Sequence, residues 1–265
     1  MPGRGNGSAF SCVLCDLNTQ QDFLASDACC PVRNAEGLVP AARRVVAWGK
    51  WNHVPVISCV DSHRGDERTH DGFPQHCLDG TRGQDKLRWT LFGSSFKVEG
   101  DNTLAVPLDL FKTYQQVIFR KRTHDLFGNP KADRYMTQLL VDEFIVFGVG
   151  LEYSLKSLVL GLLARNKRVT VVADACGFWN PSEADLALRR MHAKGADLVS
   201  VDQLWHRRLR YAMRYPLHGN GSNGHSNGNG NGNGNGRAPA KSSVTGGAGN
   251  GQAGRNGASS TGSSA

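Results

Sequence analysis

Several side chains that could take part in acid–base or metal chemistry follow short apolar segments of the chain. They are Asp16, Asp61, His63, Lys121 and the residues of the segment 148–154, which ends on Ser154. A carboxylate and a lysine in one cleft stabilise each other's charged form and shift each other's pKa, as reactive groups in enzyme sites do. Taken singly, each residue could equally be a solvated loop charge. Their chemistry therefore depends on whether the fold brings them together.

The elements that would position these residues are strands alternating with helices. Six nearly continuous apolar runs, rich in β-branched residues, predict strands buried on both faces: 10–16, 54–61, 116–121, 143–149, 168–174 and 197–201. Four intervening segments carry apolar residues at helical spacing: 40–52, 130–140, 152–165 and 181–194. This order predicts an α/β fold with a doubly wound, Rossmann-like parallel sheet and helices on both faces. Ligands bind such sheets beyond the carboxyl ends of the strands, where the polar residues lie.

Composition divides the chain into one domain and two terminal segments. Residues 217–265 contain no Asp, Glu or aromatic residue and include long Asn-Gly alternation, which predicts a disordered tail. We expect a flexible segment over 1–8 and a single domain over 9–216. The net charge is +8, but the tail has only three cations and no aromatic residue, which argues against nucleic-acid binding. Without a long apolar run or a signal segment, a cytoplasmic protein is expected, with no membrane partner.

The seven cysteines allow a second interpretation of the first strand. Cys12 and Cys15 form a CxxC pair, and Cys29 and Cys30 follow at a distance that zinc sites use. However, the adjacent pair cannot copy a second CxxC knuckle, and the CxxC lies within an apolar run. We therefore favour buried core thiols over a zinc knuckle.

Five motifs, in their order and spacing, resemble the cysteine hydrolases of the isochorismatase and nicotinamidase type. They are CDLNTQQDF (15–23), DSH (61–63) with FPQHCLDGTRG (73–83), RKRTHDLFGNP (120–130), GVGLEYSL (148–155) and DACGFW (174–179). The resemblance implies a hydrolase of small amide C–N bonds with that family's α/β fold. Because relatives commonly assemble, it also implies a homo-oligomer.

The resemblance implies a catalytic role for three residues. Asp16 would be the general base and Lys121 would orient it; Asp22 is the competing carboxylate, and Asp16 is preferred because it ends the strand. The family's nucleophilic cysteine falls on Ser154, whose hydroxyl is far harder to ionise than a thiol. We therefore expect impaired hydrolysis, or alternatively an inactive relative that binds a small ligand or a partner.

The resemblance also implies the geometry around the nucleophile. A cis peptide would join Val149 and Gly150, and the N–H groups of Gly150 and Ser154 would form an oxyanion hole. Phe23 and Phe73 would contact the ring of a substrate, although ordinary core packing would explain both side chains as well.

A metal site is implied by the second motif. Asp61 and His63 are two residues apart, so on an extended segment both side chains point the same way, and His76 could join them across the loop. These ligands suit zinc or a similar divalent ion, which would be the cofactor. The family's further ligand has no clear match, and His70 and Glu67 are the two candidates.

Overall fold

The computed structural model describes residues 10–67, 72–101 and 103–207, so the predictions for segments 1–8 and 217–265 lie outside the described residues. The described chain forms a seven-stranded parallel sheet in the order β3-β4-β2-β1-β5-β6-β7. The strands are β1 (Phe10–Leu17), β2 (Val56–Asp61), β3 (Ser95–Val98), β4 (Gln116–Lys121), β5 (Val141–Val149), β6 (Arg168–Gly177) and β7 (Asp197–Val199). All six predicted strands are present, whereas β3 was not predicted.

Six α-helices connect or flank these strands in the described residues. They are α1 (Gln21–Leu24), α2 (Ala35–Trp51), α3 (Pro130–Gln138), α4 (Lys156–Ala164), α5 (Pro181–Ala193) and α6 (Val201–Trp205). The predicted helix over 152–165 is divided, because a π-helical turn over Leu151–Leu155 precedes α4. Within the described ranges, no helix combines the length and apolar character that crossing a membrane requires.

Two helices begin with the same local device. The side chain of Asn129 accepts hydrogen bonds from the backbone N–H groups of Lys131 and Ala132 at the start of α3. Asn180 does the same at the start of α5, and in both cases a proline occupies the first helical position. These side chains satisfy N–H groups that have no partner within the helix, and proline loses nothing at that position.

Helices cover both faces of the sheet, as the strand pattern predicted. Side chains of β1 alternate between two cores. Val13, Cys15 and Leu17 face α3, α4 and α5, while Cys12 and Leu14 face α2 and α6. All seven cysteines are free, and Cys12 and Cys15 are buried in different cores. The pair cannot hold one zinc ion, which confirms the preference for core thiols.

The register of the central strands brings the polar residues together at the carboxyl ends of the strands. Asp61 at the end of β2 pairs with Lys121 at the end of β4, and Leu17 of β1 pairs with Gly148 of β5. Because these strands are parallel and adjacent, their carboxyl ends meet.

Candidate active site

Ser154 lies in the turn that connects β5 to α4. The peptide bond between Val149 and Gly150 is cis, which confirms the prediction for this turn. The backbone N–H of Leu155 donates to the carbonyl oxygen of Gly150 at 3.0 Å and closes the π-helical turn. A Cβ atom on residue 150 would come within 2.6 Å of the Trp179 ring, so any larger residue here would require the ring to shift. The turn thereby places the Ser154 hydroxyl, which is buried, at the edge of the sheet.

Two donors contact the Ser154 hydroxyl. Asn18 Nδ2 lies 3.3 Å from Ser154 Oγ and Lys121 Nζ lies 3.1 Å from it. Lys121 also forms a buried ion pair with Asp61. Burial alone would lower the pKa of Lys121, but the Asp61 carboxylate outweighs that effect and raises the pKa above its ordinary value. Lys121 therefore stays protonated and cannot accept the proton of Ser154.

The structure does not bring Asp16 to Ser154, contrary to the sequence-based expectation. The Asp16 carboxylate is fully buried, where it accepts from Lys86 Nζ at 2.7 Å, Thr19 Oγ1 at 2.8 Å and Ser58 Oγ at 3.3 Å. Asp16 was preferred because it seemed to end the strand, but β1 continues to Leu17. The first residue beyond the strand is therefore residue 18.

Asn18 occupies the position beside Ser154 that was expected for the carboxylate. Its backbone φ is +49°, in the left-handed region that asparagine adopts more readily than most residues. Its Oδ1 accepts from Cys59 Sγ at 3.3 Å while its Nδ2 donates to Ser154. The sequence signal that could have identified Asn18 was a polar residue directly after β1. It was not used because an asparagine amide does not act as a general base.

The competing carboxylate, Asp22, also has a different role from the expected one. Its Oδ2 accepts from the backbone N–H of Cys77 at 2.6 Å, and a Cβ on Gly83 would clash with the same carboxylate. Asp22 therefore fixes the backbone next to His76 rather than acting on Ser154.

Three residues could hold a metal ion together. One ligand atom each of Asp61, His63 and His76 lies within 4.8 Å of the others. We call these three residues the metal cluster. His63 Nδ1 is 3.3 Å from Glu67 Oε2, and His76 Nδ1 is 2.8 Å from the Pro74 carbonyl oxygen. Acceptors at Nδ1 fix the tautomer that leaves Nε2 free for a metal, so the residues fit a divalent ion. Of the two further candidates, Glu67 lies behind His63 and His70 lies outside the described residues.

Gln20 positions Asp61, and sequence reasoning did not identify it. Its Oε1 accepts from the Asp61 backbone N–H at 2.8 Å, and its Nε2 donates to the carbonyl oxygens of Asp61 and Gln84 at 2.9 Å each. Gln20 is fully buried, so these bonds satisfy all its polar atoms without water. The residue thus fixes the end of β2, on which the metal cluster depends.

Aromatic rings surround the Ser154 hydroxyl. Phe23 and Phe73, expected at a substrate ring, lie in the wall of a cavity of about 20 Å³ that also includes Asn18 and Ser154. Phe73 makes an edge contact with Trp179 at 4.8 Å between ring centroids. Tyr153 and His124, whose rings stack with centroids 4.9 Å apart, complete the aromatic wall with Trp179. No role in the site was predicted for these three residues from the sequence. A second cavity, of about 590 Å³, shares Asp61, His76 and His124 with the lining of the first.

Comparisons with known proteins agree with this architecture. The isochorismatase domain family matches residues 12–203. The nicotinamidase of Escherichia coli (strain K12) is 26% identical over 213 residues, covering 71% of this chain and 93% of that protein. The crystal structure of the pyrazinamidase of Pyrococcus horikoshii in complex with zinc has a TM-score of 0.58 and 18% identity, covering 72% of this chain and 99% of that chain. PnC1 from L. infantum in complex with nicotinate has a TM-score of 0.57 and 14% identity, covering 75% and 96% of the two chains.

The match to the family spans nearly the whole described fold, from β1 to α6. The chain belongs to the isochorismatase family of hydrolases. The solved structures share its α/β fold, with the parallel sheet and its covering helices.

Proposed function

We propose that the cleft binds a small planar amide or carboxylic acid at a divalent metal ion, and that hydrolysis of an amide C–N bond there is impaired. One observation carries the proposal: Ser154 is contacted by the amide of Asn18 and the ammonium of Lys121, both of which donate. Both groups are hydrogen-bond donors to Ser154 Oγ, and a donor does not remove the hydroxyl proton. The hydroxyl therefore lacks a base at the position that Asn18 occupies.

Asp61, His63 and His76 would hold the ion, for which zinc is the best fit to one carboxylate and two imidazoles. When bound, such an ion supplies a Lewis-acid position that can hold a heteroatom of the ligand. The aromatic wall of Phe23, Phe73 and Trp179 would contact the faces and edges of a flat ring.

Slow hydrolysis is the second candidate function, and the turn at Ser154 favours it. The N–H groups of Gly150 and Ser154 would form the oxyanion hole, and Lys121 contacts the hydroxyl. These groups could stabilise negative charge on a tetrahedral intermediate even where proton removal is inefficient.

Metal binding at the cluster provides the first test. Equilibrium dialysis against zinc, followed by elemental analysis, should give about one ion per chain, and His63→Ala should weaken binding at least about tenfold. His206→Ala is the matched control, because His206 is exposed and, within the part of the chain that the structure describes, its ring contacts a backbone carbonyl of its own helix. Equal zinc binding by both variants would place the ion elsewhere.

Ligand binding and turnover provide the second test. For the zinc-loaded protein, isothermal titration should show nicotinate binding, and zinc-free protein should bind it at least about tenfold more weakly. The same preparation should release ammonia from nicotinamide no faster than a Ser154→Ala variant. Ammonia release that depends on Ser154 would instead establish the hydrolase as the function of this site.

A further inference from the structure

A third cavity lies on the face of the sheet that α2 covers elsewhere. It occupies about 640 Å³ and shares no lining residue with either cavity at the metal cluster. Its floor is formed by β2, β4 and β3, where Val60, Ile118 and Lys97 face the cavity, and its wall is the segment 82–91. We call this cavity the basic groove.

The basic groove carries an excess of positive charge. Five cationic side chains line it together with one carboxylate, Asp85: Arg82, Lys86, Arg88, Lys97 and Arg120. Three of them have ion-pair partners, since Lys86 contacts Asp16 at 2.7 Å, Arg82 contacts Asp27 at 3.2 Å and Arg120 contacts Glu99 at 3.2 Å. Arg88 and Lys97 have no carboxylate partner among residues 10–67, 72–101 and 103–207.

The strand register places two of these cations close together. Lys97 of β3 pairs with Ile118 of β4, so Arg120, two residues further along β4, lies diagonally from Lys97 on the same face. Like charges in this relation repel each other, and a bound anion would relieve the repulsion. Beside the cations, Val60, Ile118 and Leu91 supply apolar surface to the same groove.

We propose that the basic groove binds an organic anion with two or more negative charges and an apolar body. Its charged groups contact Arg88 and Lys97, and its body lies against Ile118 and Leu91. The volume is in the range of small-molecule sites, and phosphate and carboxylate groups both fit Arg and Lys donors. Lys86 is not varied in the test, because its buried ammonium pairs with Asp16 and its replacement would disturb that ion pair.

The test measures binding of three probes to the full-length protein. 1-Naphthyl phosphate and benzene-1,3,5-tricarboxylate represent the phosphate and carboxylate sources, and 1-naphthol is the uncharged probe. We expect at least one anion to bind, with affinity that falls as salt is added, and 1-naphthol to bind at least about tenfold more weakly. The tighter of the two anions identifies the preferred charged group.

Matched double variants assign the binding to the groove. Arg88→Gln with Lys97→Gln should weaken anion binding about tenfold or more, since each loses a charged hydrogen-bond donor. The control is Arg190→Gln with Lys194→Gln, which removes the same charges from exposed positions in and directly after α5, near the other end of the sheet. The single variant Lys97→Gln, on an exposed side chain, should show a smaller loss of the same kind and serves if the double variant does not fold.

Two results would overturn the proposal. One is equal weakening by the groove and control double variants, which would show non-specific attraction to a basic protein. The other is the absence of measurable binding of both anions at low salt.

Discussion

Restoring a carboxylate and a thiol together is expected to convert the site into an efficient amidase. The double variant Asn18→Asp with Ser154→Cys should hydrolyse nicotinamide at least about 100-fold faster than the starting protein, a factor typical of adding a positioned general base. Asp at position 18 would accept a proton where the Asn18 amide now donates, and a thiol is far easier to ionise than the Ser154 hydroxyl. Ammonia release by the zinc-loaded variants measures the effect.

The single variants and a third change test the assignment of Asn18. Ser154→Cys alone should gain much less than the double variant, because its thiol still lacks a base. Lys121→Met in the double background should remove most of the gain, since Lys121 contacts residue 154. If Ser154→Cys alone reaches the rate of the double variant, then Asn18 is not the missing element.

Asp16→Ala is expected to destabilise the fold by about 3–5 kcal/mol, because it leaves the buried Lys86 ammonium without its carboxylate partner and with the Thr19 hydroxyl as its remaining contact. Urea unfolding would measure this loss. The pair replacement Asp16→Leu with Lys86→Met should recover most of it, since neither charge then remains buried. Asp27→Ala, which breaks an exposed ion pair with Arg82, is the matched control and should change stability much less.

The same variants test whether the buried Asp16–Lys86 pair affects the metal-binding residues. Zinc binding by Asp16→Leu with Lys86→Met should match that of the starting protein under conditions where both are folded. A fully stable Asp16→Ala variant would contradict the buried ion pair as a determinant of stability.

The sequence was sufficient for the sheet because its central strands are buried on both faces and read as continuous apolar runs. β3 was not predicted because only one of its four residues, Val98, is buried, so it does not form a continuous apolar run; it is an edge strand of the sheet. The residue beside Ser154 was predicted two positions too early in the chain, at Asp16 instead of Asn18. Which side chain reaches Ser154 depends on the exact end of β1, and hydrophobic pattern locates strand ends poorly.

The metal cluster was predictable because Asp61 and His63 belong to one extended segment. By contrast, Gln20 and Trp179 act through contacts with distant residues: Gln20 bonds to the backbone of Asp61 and Gln84, and Trp179 approaches Gly150. Neither contact leaves a local sequence signal, since it arises only when the strands assemble.

The size of the cavity beside Ser154 has a kinetic consequence. A volume of about 20 Å³ accommodates roughly one water molecule, whereas a flat ring needs several times that space. We therefore expect a ring to reach the hydroxyl only when side chains of the aromatic wall move, and the edge contact between Phe73 and Tyr153, with ring centroids 5.8 Å apart, is a candidate for that opening. We expect such motion to hold the association rate of a planar ligand below the diffusion limit, which stopped-flow binding would measure.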